Sequence, residues 1–158
     1  MKVDQHSFRS VLGRFSSGVT VVTTRDKRKR DQGMTVSAFC SVSLDPPLVL
    51  FCIEHTASMY NAIQQATHFT VNILSEGQEA VARRFAEREG DRFDGLGYRR
   101  GDNGSAVLDD VLGYVECKVF ARHEAGDHDI IVGAVEVAVA DEGKPLLYYR
   151  GGYAQLER

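Results

Sequence analysis

Two long stretches near the carboxyl end alternate apolar and polar residues, and this period of two constrains the fold more than any other feature of the chain. One spans residues 115–121 and the other spans residues 131–139, with a turn at residues 125–127 between them. Apolar side chains at alternate positions are typical of a strand with one buried face. Two such strands joined by a short, glycine-containing turn predict a long antiparallel β-hairpin.

Further segments rich in β-branched and aromatic residues also predict strands. They cover residues 19–25, 33–43, 48–53, 69–74 and the closing run LLYYRGGY, and the strand in 33–43 is expected to loosen into a loop. The segment at 48–53 is continuously apolar, as expected of a strand buried on both faces. Pro46 and Pro47 separate it from the preceding strand, because proline fixes φ and removes a hydrogen-bond donor.

Three short helices are predicted beside these strands. The first is N-terminal, and either Asp4 or Ser7 supplies its capping oxygen. Thr56 is expected to cap the second, which ends at Ala66, and the third follows Ser75. Each helix has one apolar face: Phe8, Val11, Leu12 and Phe15 in the first, Met59, Ala62, Ile63 and Ala66 in the second, and Val81, Ala82 and Phe85 in the third. Many strands with few helices predict a mainly β, closed or partly closed antiparallel barrel rather than a doubly wound parallel sheet.

Two segments between these elements are predicted to be irregular. Residues 26–32 are almost all charged and predict a solvated hairpin tip, with a docking site for an anionic cofactor tail or a partner as the alternative. Residues 90–104 carry five glycines and predict a long loop. Loops of this length inside compact domains are often functional.

Length and charge limit the class of protein. The chain has 158 residues, which predicts one domain over residues 1–158. Its 19 Lys and Arg residues against 22 Asp and Glu give a net charge of −3, which argues against a general nucleic-acid binder. No apolar run approaches the roughly 18–20 residues of a membrane span, and the N-terminus lacks the apolar core of a signal peptide. We therefore expect a cytoplasmic protein with no membrane or nucleic-acid partner.

Common catalytic and metal-binding motifs are absent from the sequence. There is no phosphate-binding GxxxxGK[ST], no GxGxxG framed by a strand and a helix, and no HExxH. His123, His128 and Cys117 lack a fourth ligand, so no metal site is predicted. Cys40, Cys52 and Cys117 cannot all pair within one chain, and we expect them to be buried free thiols.

Hydroxyl residues alternate in part with apolar ones at Thr35, Ser37, Ser41 and Ser43. One interpretation is an ordinary strand with a wet face. The other is a hydrogen-bonding strand for a polar, planar ligand such as a flavin, whose phosphate also needs hydroxyls and a cation. Arg83 and Arg84 could supply the cation or lie on a solvated helix face, and the residues alone leave both interpretations open.

Five segments, in one collinear order, resemble a known family. They are GMTVSAFCSVSLDPPLVLFCI, FTVNILSEGQEAVARRFA, DRFDG, GDHDIIVGAVEV and PLLYYRGGYAQL. Together they cover nearly the whole chain and are similar to the short-chain flavin reductases, the NAD(P)H:flavin oxidoreductase components of two-component flavin-dependent monooxygenases. Five collinear segments are far more specific than any single short motif.

The resemblance implies a fold, a set of cofactors and a set of site residues. The fold is an FMN-binding split β-barrel, antiparallel with Greek-key topology and short peripheral helices, and it forms a homodimer. The cofactors are FMN or FAD, and NADH or NADPH. The implied flavin-binding residues are Thr35, Val36, Ser37 and Ala38 beside the ring, Ser41 further along the same segment, Cys52 and Ile53 at a strand end, Ala57, Ser58, Arg84 and Phe85 on the phosphate side, and Tyr153 near the carboxyl end.

The resemblance also implies the reaction. Hydride passes from the nicotinamide to N5 of the flavin, and reduced flavin is supplied to a separate monooxygenase. His128, in GDH, is expected to position the nicotinamide, and the alternative is a simple turn residue. Two other functions stay open: a non-catalytic flavin-binding or electron-transfer module, and a pyridoxamine-phosphate oxidase-like enzyme. Cys40 replaces a threonine or serine common in related chains and is expected to face the core or a dimer contact.

Overall fold

The computed structural model describes residues 2–157, in which most of the regular structure is antiparallel strand. None of the helices in this part of the chain is long and apolar enough to cross a membrane. The elements are α1 (Gln5–Leu12), β1 (Ser17–Gly18), β2 (Thr20–Arg25), β3 (Asp31–Val36), β4 (Phe39–Leu44), β5 (Pro47–Glu54), α2 (Tyr60–Gln65), β6 (His68–Ile73), α3 (Glu79–Ala86), β7 (Tyr98–Arg100), β8 (Ala106–Leu108), β9 (Gly113–Ala125), β10 (His128–Ala140), β11 (Leu146–Tyr149) and β12 (Gly152–Gln155).

A seven-stranded sheet in the order β3-β2-β6-β9-β10-β5-β4 forms the barrel. Its centre is the hairpin of β9 and β10, each 13 residues long, which confirms the hairpin predicted from the alternating pattern. Ala125 pairs with His128 across the turn, and Gly126 has a φ of 65°. A positive φ at the first central residue is what a type II′ turn requires, and glycine adopts it without strain.

The barrel closes where the chain crosses from β3 to β4. These consecutive strands lie at opposite edges of the sheet, and β5 and β6 are separated by β9 and β10, so the topology is a Greek key rather than a meander. At the crossing the Ala38 carbonyl accepts a hydrogen bond from the Cys52 N–H at 3.0 Å, which extends the pairing of β4 with β5 by one residue beyond the start of β4. Residues 33–43, predicted to be a strand that loosens into a loop, instead belong to two strands, β3 and β4, so their hydroxyls do not share one continuous face.

Two apolar clusters pack on opposite faces of this sheet. The cluster inside the barrel consists of Val22, Val36, Val49, Phe51, Ile53, Met59, Ile63, Phe69, Val71, Cys117 and Ile131. The cluster outside the barrel lies under α3, the β7–β8 hairpin and the small sheet of β1, β11 and β12, and consists of Val19, Val21, Leu74, Ala82, Phe85, Val107, Leu108, Val111, Tyr114 and Leu146.

Burial along β5 differs from the sequence prediction. Its buried side chains alternate with half-buried ones, so only one face of the strand is enclosed. The sequence shows a continuous apolar run because Leu48, Leu50 and Cys52 are apolar without being fully buried in a single chain. The prediction of a strand buried on both faces is wrong for one chain.

The helices and loops also differ in part. Asp4 caps α1, because its carboxylate accepts the Ser7 N–H at 2.8 Å. Thr56 does not cap α2, which begins at Tyr60 with no side-chain cap. The predicted long loop contains β7, and the closing segment is a hairpin turning at Arg150 and Gly151, both with positive φ.

The three cysteines do not share one environment. Cys117 is buried, and burial raises its pKa to about 12. Cys52 is half-buried and Cys40 is exposed, so the prediction of three buried thiols holds for Cys117 alone. Because Cys40 is exposed on β4, it does not face the core of its own chain.

Candidate active site

The carboxyl half of β3 is held closely against α3. The Thr35 hydroxyl donates to the Ala82 carbonyl at 2.6 Å. A Cβ at Gly33 would lie only 2.7 Å from Cε1 of Phe85, so glycine allows the close approach. The Thr35 hydroxyl, predicted to face a ligand, is used here to fix the strand to the helix.

The crossing after β3 leaves a short exposed stretch beside β5. Val36 is buried in the barrel, whereas Ser37 and Ala38 are exposed. The hydrogen bond from Cys52 to Ala38 places the half-buried Cys52 next to them. The structure thus brings together three of the predicted flavin-binding residues, with the Ser37 hydroxyl at the surface.

The end of β5 and the turn after it carry three more of the predicted residues, and β4 carries a fourth. Ile53 is fully buried inside the barrel, so only its backbone is available at the surface. Ala57 packs against the barrel core, and Ser58 is exposed in the turn before α2. Ser41 is exposed on β4, the neighbour of β5.

Arg92 is a candidate site residue that was not selected from the sequence. Its Nη1 donates to the Gly33 carbonyl at 2.9 Å and to the Ser58 hydroxyl at 3.2 Å, while Nη2 bonds the Glu87 carbonyl. Its Nε is buried and has no partner within the described residues. Burial lowers the pKa of Arg92, but a guanidinium keeps its charge in a protein. A cation with an unused donor therefore lies beside Ser58, where the resemblance places a phosphate.

Arg84 and Phe85 have different surroundings. The Arg84 guanidinium donates to the Asp91 carbonyl at 3.3 Å and to the Asp94 carbonyl, so it holds the loop that carries Arg92. Phe85 is buried and packs edge-on against Phe93 at 5.1 Å between ring centroids. The sequence signal for Arg92 was the segment DRFDG, in which the arginine stands beside the phenylalanine that packs on α3.

Two open cavities adjoin this pair of residues. One, of about 510 Å³, includes Arg92, and the other, of about 380 Å³, includes Ser58. Arg30 and Gln32 line both cavities. The pair formed by Ser58 and Arg92 therefore lies between two polar clefts that share one wall.

His128 lies at the start of β10, opposite Glu54 of β5. Its side chain is half-exposed, and its Nδ1 lies 2.6 Å from Oδ1 of Asp127. Two positions along β10, Ile130 pairs with Cys52. Because alternate residues share a face of a strand, His128 lies on the same side of the sheet as Ile130.

Behind His128, a buried carboxylate joins β10 to the turn that carries Ser58. Asp129 accepts from His55 Nε2 at 2.8 Å, from the Tyr60 hydroxyl at 2.9 Å, and from Gln64 Nε2. Hydrogen bonding to His55 lowers the pKa of Asp129, and the same bond raises the pKa of His55. We call these four residues the Asp129 cluster, which the sequence did not indicate.

Tyr153 lies on another flank of α3. Its ring packs against Tyr148 at 5.4 Å, and the Arg83 guanidinium carbon lies 5.0 Å from the ring centroid. These contacts place Tyr153 with the outer apolar cluster rather than with Ser58 and Arg92.

Comparisons with known proteins agree with this architecture. Residues 12–157 match the family described as the flavin reductase like domain. A flavin reductase of Pseudomonas putida is 43% identical over 152 residues, which cover 96% of this chain and 89% of that protein. The reductase subunit HsaB of a flavin-dependent monooxygenase from Mycobacterium tuberculosis is 40% identical, covering 99% of this chain and 84% of that protein.

A solved structure matches closely as well. The NADH:FAD oxidoreductase SgcE6 of Streptomyces globisporus, in complex with NAD and FAD fragments, superposes with a TM-score of 0.92. It is 35% identical, and the match covers 97% of this chain and 93% of that one. The fold thus defines a class, the antiparallel split β-barrels of the flavin reductase type. The chain belongs to the flavin reductase-like family, which confirms the resemblance and the fold predicted from its sequence.

Proposed function

We propose that this protein is the reductase component of a two-component monooxygenase. It catalyses reduction of FMN or FAD by NAD(P)H and supplies reduced flavin to a separate flavin-dependent oxygenase. Membership of the flavin reductase-like family carries this proposal, since the family match extends over residues 12–157. We also propose the cytoplasmic location that the sequence predicts.

The residues between β3, β5 and the loop after α3 fit a flavin phosphate. The buried, unpaired Nε of Arg92 beside the Ser58 hydroxyl supplies the charged and neutral donors that a phosphate accepts. Ser37 and Ala38, exposed beside Cys52, present hydroxyl and backbone groups to the polar edge of a flat ring. Arg84 acts by holding the loop of Arg92, and Val36, Ile53 and Phe85 act by shaping the wall from inside the core.

When bound, the flavin supplies the hydride-accepting chemistry at its N5. The protein's task is then to hold two rings close and aligned, which accounts for a large share of the rate in reactions of this kind. His128 is the residue we assign to the nicotinamide. Its ring is accessible at the end of β10, and Asp127 orients it through Nδ1.

We further propose that the protein is a homodimer. Several large apolar side chains are exposed on the single chain. Stable monomers rarely expose large contiguous apolar patches. Five of these side chains lie on α1, just after it, and on β4: Val11, Phe8, Leu12, Phe15 and Leu44. In particular, no residue on the apolar face of the first helix is buried within its own chain.

The experiment that tests the proposed enzyme is steady-state oxidation of NADH and NADPH by the purified protein with FMN or FAD as acceptor. We expect saturable oxidation far above the rate of flavin and coenzyme alone. Flavin binding without such turnover would favour a binding or electron-transfer module instead. Oxidation of pyridoxamine phosphate without turnover of NAD(P)H would favour the third alternative.

A further inference from the structure

We propose that the charged tip between β2 and β3, together with α2, forms a subsite for the adenylate half of FAD. The inference rests on the proposed function, because it extends the phosphate site at Ser58 and Arg92. FMN ends at a single phosphate, whereas FAD continues through a second phosphate to adenosine. A cationic cleft next to the first phosphate is therefore where the remainder of FAD would lie.

The cleft is the cavity of about 380 Å³ that includes Ser58. Its wall on one side is the tip and on the other side is α2. Besides Ser58, its lining consists of Asp26, Lys27, Arg28, Arg30, Gln32, Asn61, Ala62 and Gln65. Ser58 and Arg92, joined at 3.2 Å, mark the end at which the flavin phosphate is proposed to bind.

The charge of this lining favours an anion. Lys27, Arg28 and Arg30 face a single carboxylate, Asp26, which is already engaged with Arg30 Nε at 2.8 Å. The side chains of Lys27 and Arg28 form no salt bridge with any residue in the described range 2–157. The side chains of Lys27 and Arg28 are therefore available to bind a phosphate.

Hydrogen bonds within the tip hold its backbone in one conformation. Asp26 Oδ1 accepts the backbone N–H groups of Arg28 at 2.8 Å and Arg30 at 2.9 Å, and the Asp26 carbonyl accepts the Lys29 N–H. Carboxylates that bond backbone N–H groups in this way stabilise tight turns. The cationic side chains thus project from a fixed backbone, which reduces the entropy lost when they bind a ligand.

The wall on α2 supplies neutral polar groups. Asn61 and Gln65 are both exposed, one turn apart on the helix. Amide side chains donate and accept hydrogen bonds, which suits a ribose and an adenine edge. Nicotinamide coenzymes carry the same adenylate group, but the cleft begins at Ser58, on the flavin phosphate side. We therefore assign the adenylate to FAD.

The test compares Arg28→Ala with the matched variant Lys29→Asn. Lys29 is a cation on the same tip that does not line the cleft, and asparagine tolerates its positive φ of 60°. We expect Arg28→Ala to raise the KM and the Kd for FAD about tenfold, as loss of a charged contact does. Both constants for FMN should stay within about twofold, and Lys29→Asn should leave both flavins unaffected.

Three results would overturn the subsite: no change with FAD, an equal change with FMN, or a raised KM for NADH when FMN is the acceptor. The last would assign the adenylate to the nicotinamide coenzyme. Flavin binding is followed by fluorescence titration, which does not depend on turnover. A wild-type protein that binds FAD but oxidises no NAD(P)H would thus contradict the proposed function while still deciding whether the subsite exists.

Discussion

At the scale of single residues, His128 carries the most specific expectation. It lies half-exposed at the end of β10 and contacts Asp127, whereas the phosphate side of the site comes from other elements. We expect His128→Ala to raise the KM for NADH and to lower the hydride-transfer rate, each about tenfold, because a misplaced ring loses near-attack geometry. The KM for flavin should change by less than about twofold. Stopped-flow bleaching of the flavin against NADH concentration measures both effects.

His123 offers a control for that variant. It is an exposed histidine on β9 of the same hairpin, paired with Ile130. His123→Ala should leave the hydride-transfer rate and its NADH dependence unchanged. If His128→Ala behaves like His123→Ala, His128 is a turn residue and not part of the site.

Gly133 tests the packing of the barrel interior. A Cβ there would lie 2.5 Å from Cζ of Phe69 and 2.9 Å from Cβ of Cys117. We expect Gly133→Ala to lower the free energy of unfolding by about 1–3 kcal/mol, since overpacking a close-packed core forces neighbours to move. Gly77→Ala, where nothing lies within 4 Å, should change it by less than about 0.5 kcal/mol. Urea denaturation of both variants provides the comparison, and equal midpoints would contradict the packing described.

Single residues also show what sequence reasoning could and could not find. The resemblance selected Ser37, Ala38 and Cys52, which the structure brings together at the crossing after β3, and Ser58, which lies beside Arg92. It selected Arg84 for the phosphate, but Arg92 is the cation beside Ser58. Arg84 lies on α3 and Arg92 lies in the loop after it. The path of that loop depends on tertiary contacts, so the spacing of the two arginines in the sequence does not show which one lies nearer to Ser58.

At the scale of secondary-structure elements, the Asp129 cluster joins the end of β10 to the turn before α2. Asp129 has a pKa below its ordinary 3.8, so its contribution to stability is present above that value and is lost as pH falls through the lowered pKa. His55 has a pKa above its ordinary 6.5, so its contribution is present below 6.5 and is lost as pH rises through the raised pKa. The charge of Glu124 also raises the pKa of His55, and the charge of His55 in turn lowers the pKa of Asp127.

We therefore expect His55→Gln to lower the melting temperature most between about pH 4 and pH 6.5. The difference from wild type should shrink as pH rises through the raised pKa of His55, because the wild type then loses the same charge. His123→Gln, on an exposed strand position, should show no such pH profile. A constant difference across the whole range would contradict an ion pair between His55 and Asp129.

Among the elements, the β9–β10 hairpin, β2 and β6 could be predicted closely, because each has a clear apolar pattern with turn residues at its ends. The division between β3 and β4 could not be predicted from the sequence. Residues 37–38 contain neither proline nor glycine, so nothing local marks the place where the chain changes edges. That crossing exists only because the barrel closes, and the exposed part of the site lies on it.

At the scale of the whole molecule, the exposed apolar surface predicts association. Phe15 is 76% exposed and Leu44 is 93% exposed, and α1 buries none of its residues within one chain. We expect sedimentation at micromolar concentration to give twice the mass of the 17.5 kDa chain. Phe8→Glu with Phe15→Glu should weaken this dimer, while Lys2→Glu should not. A single species of 17.5 kDa in the wild type would contradict the dimer.

In the function we propose, the protein itself transfers a hydride from a nicotinamide coenzyme to a flavin. The most direct test is anaerobic stopped-flow mixing of the protein and flavin with one equivalent of NADH. We expect flavin bleaching in step with NADH loss, at a rate that saturates with NADH and far exceeds that of the same mixture without protein. Bleaching at the protein-free rate, with the flavin nonetheless bound, would contradict it.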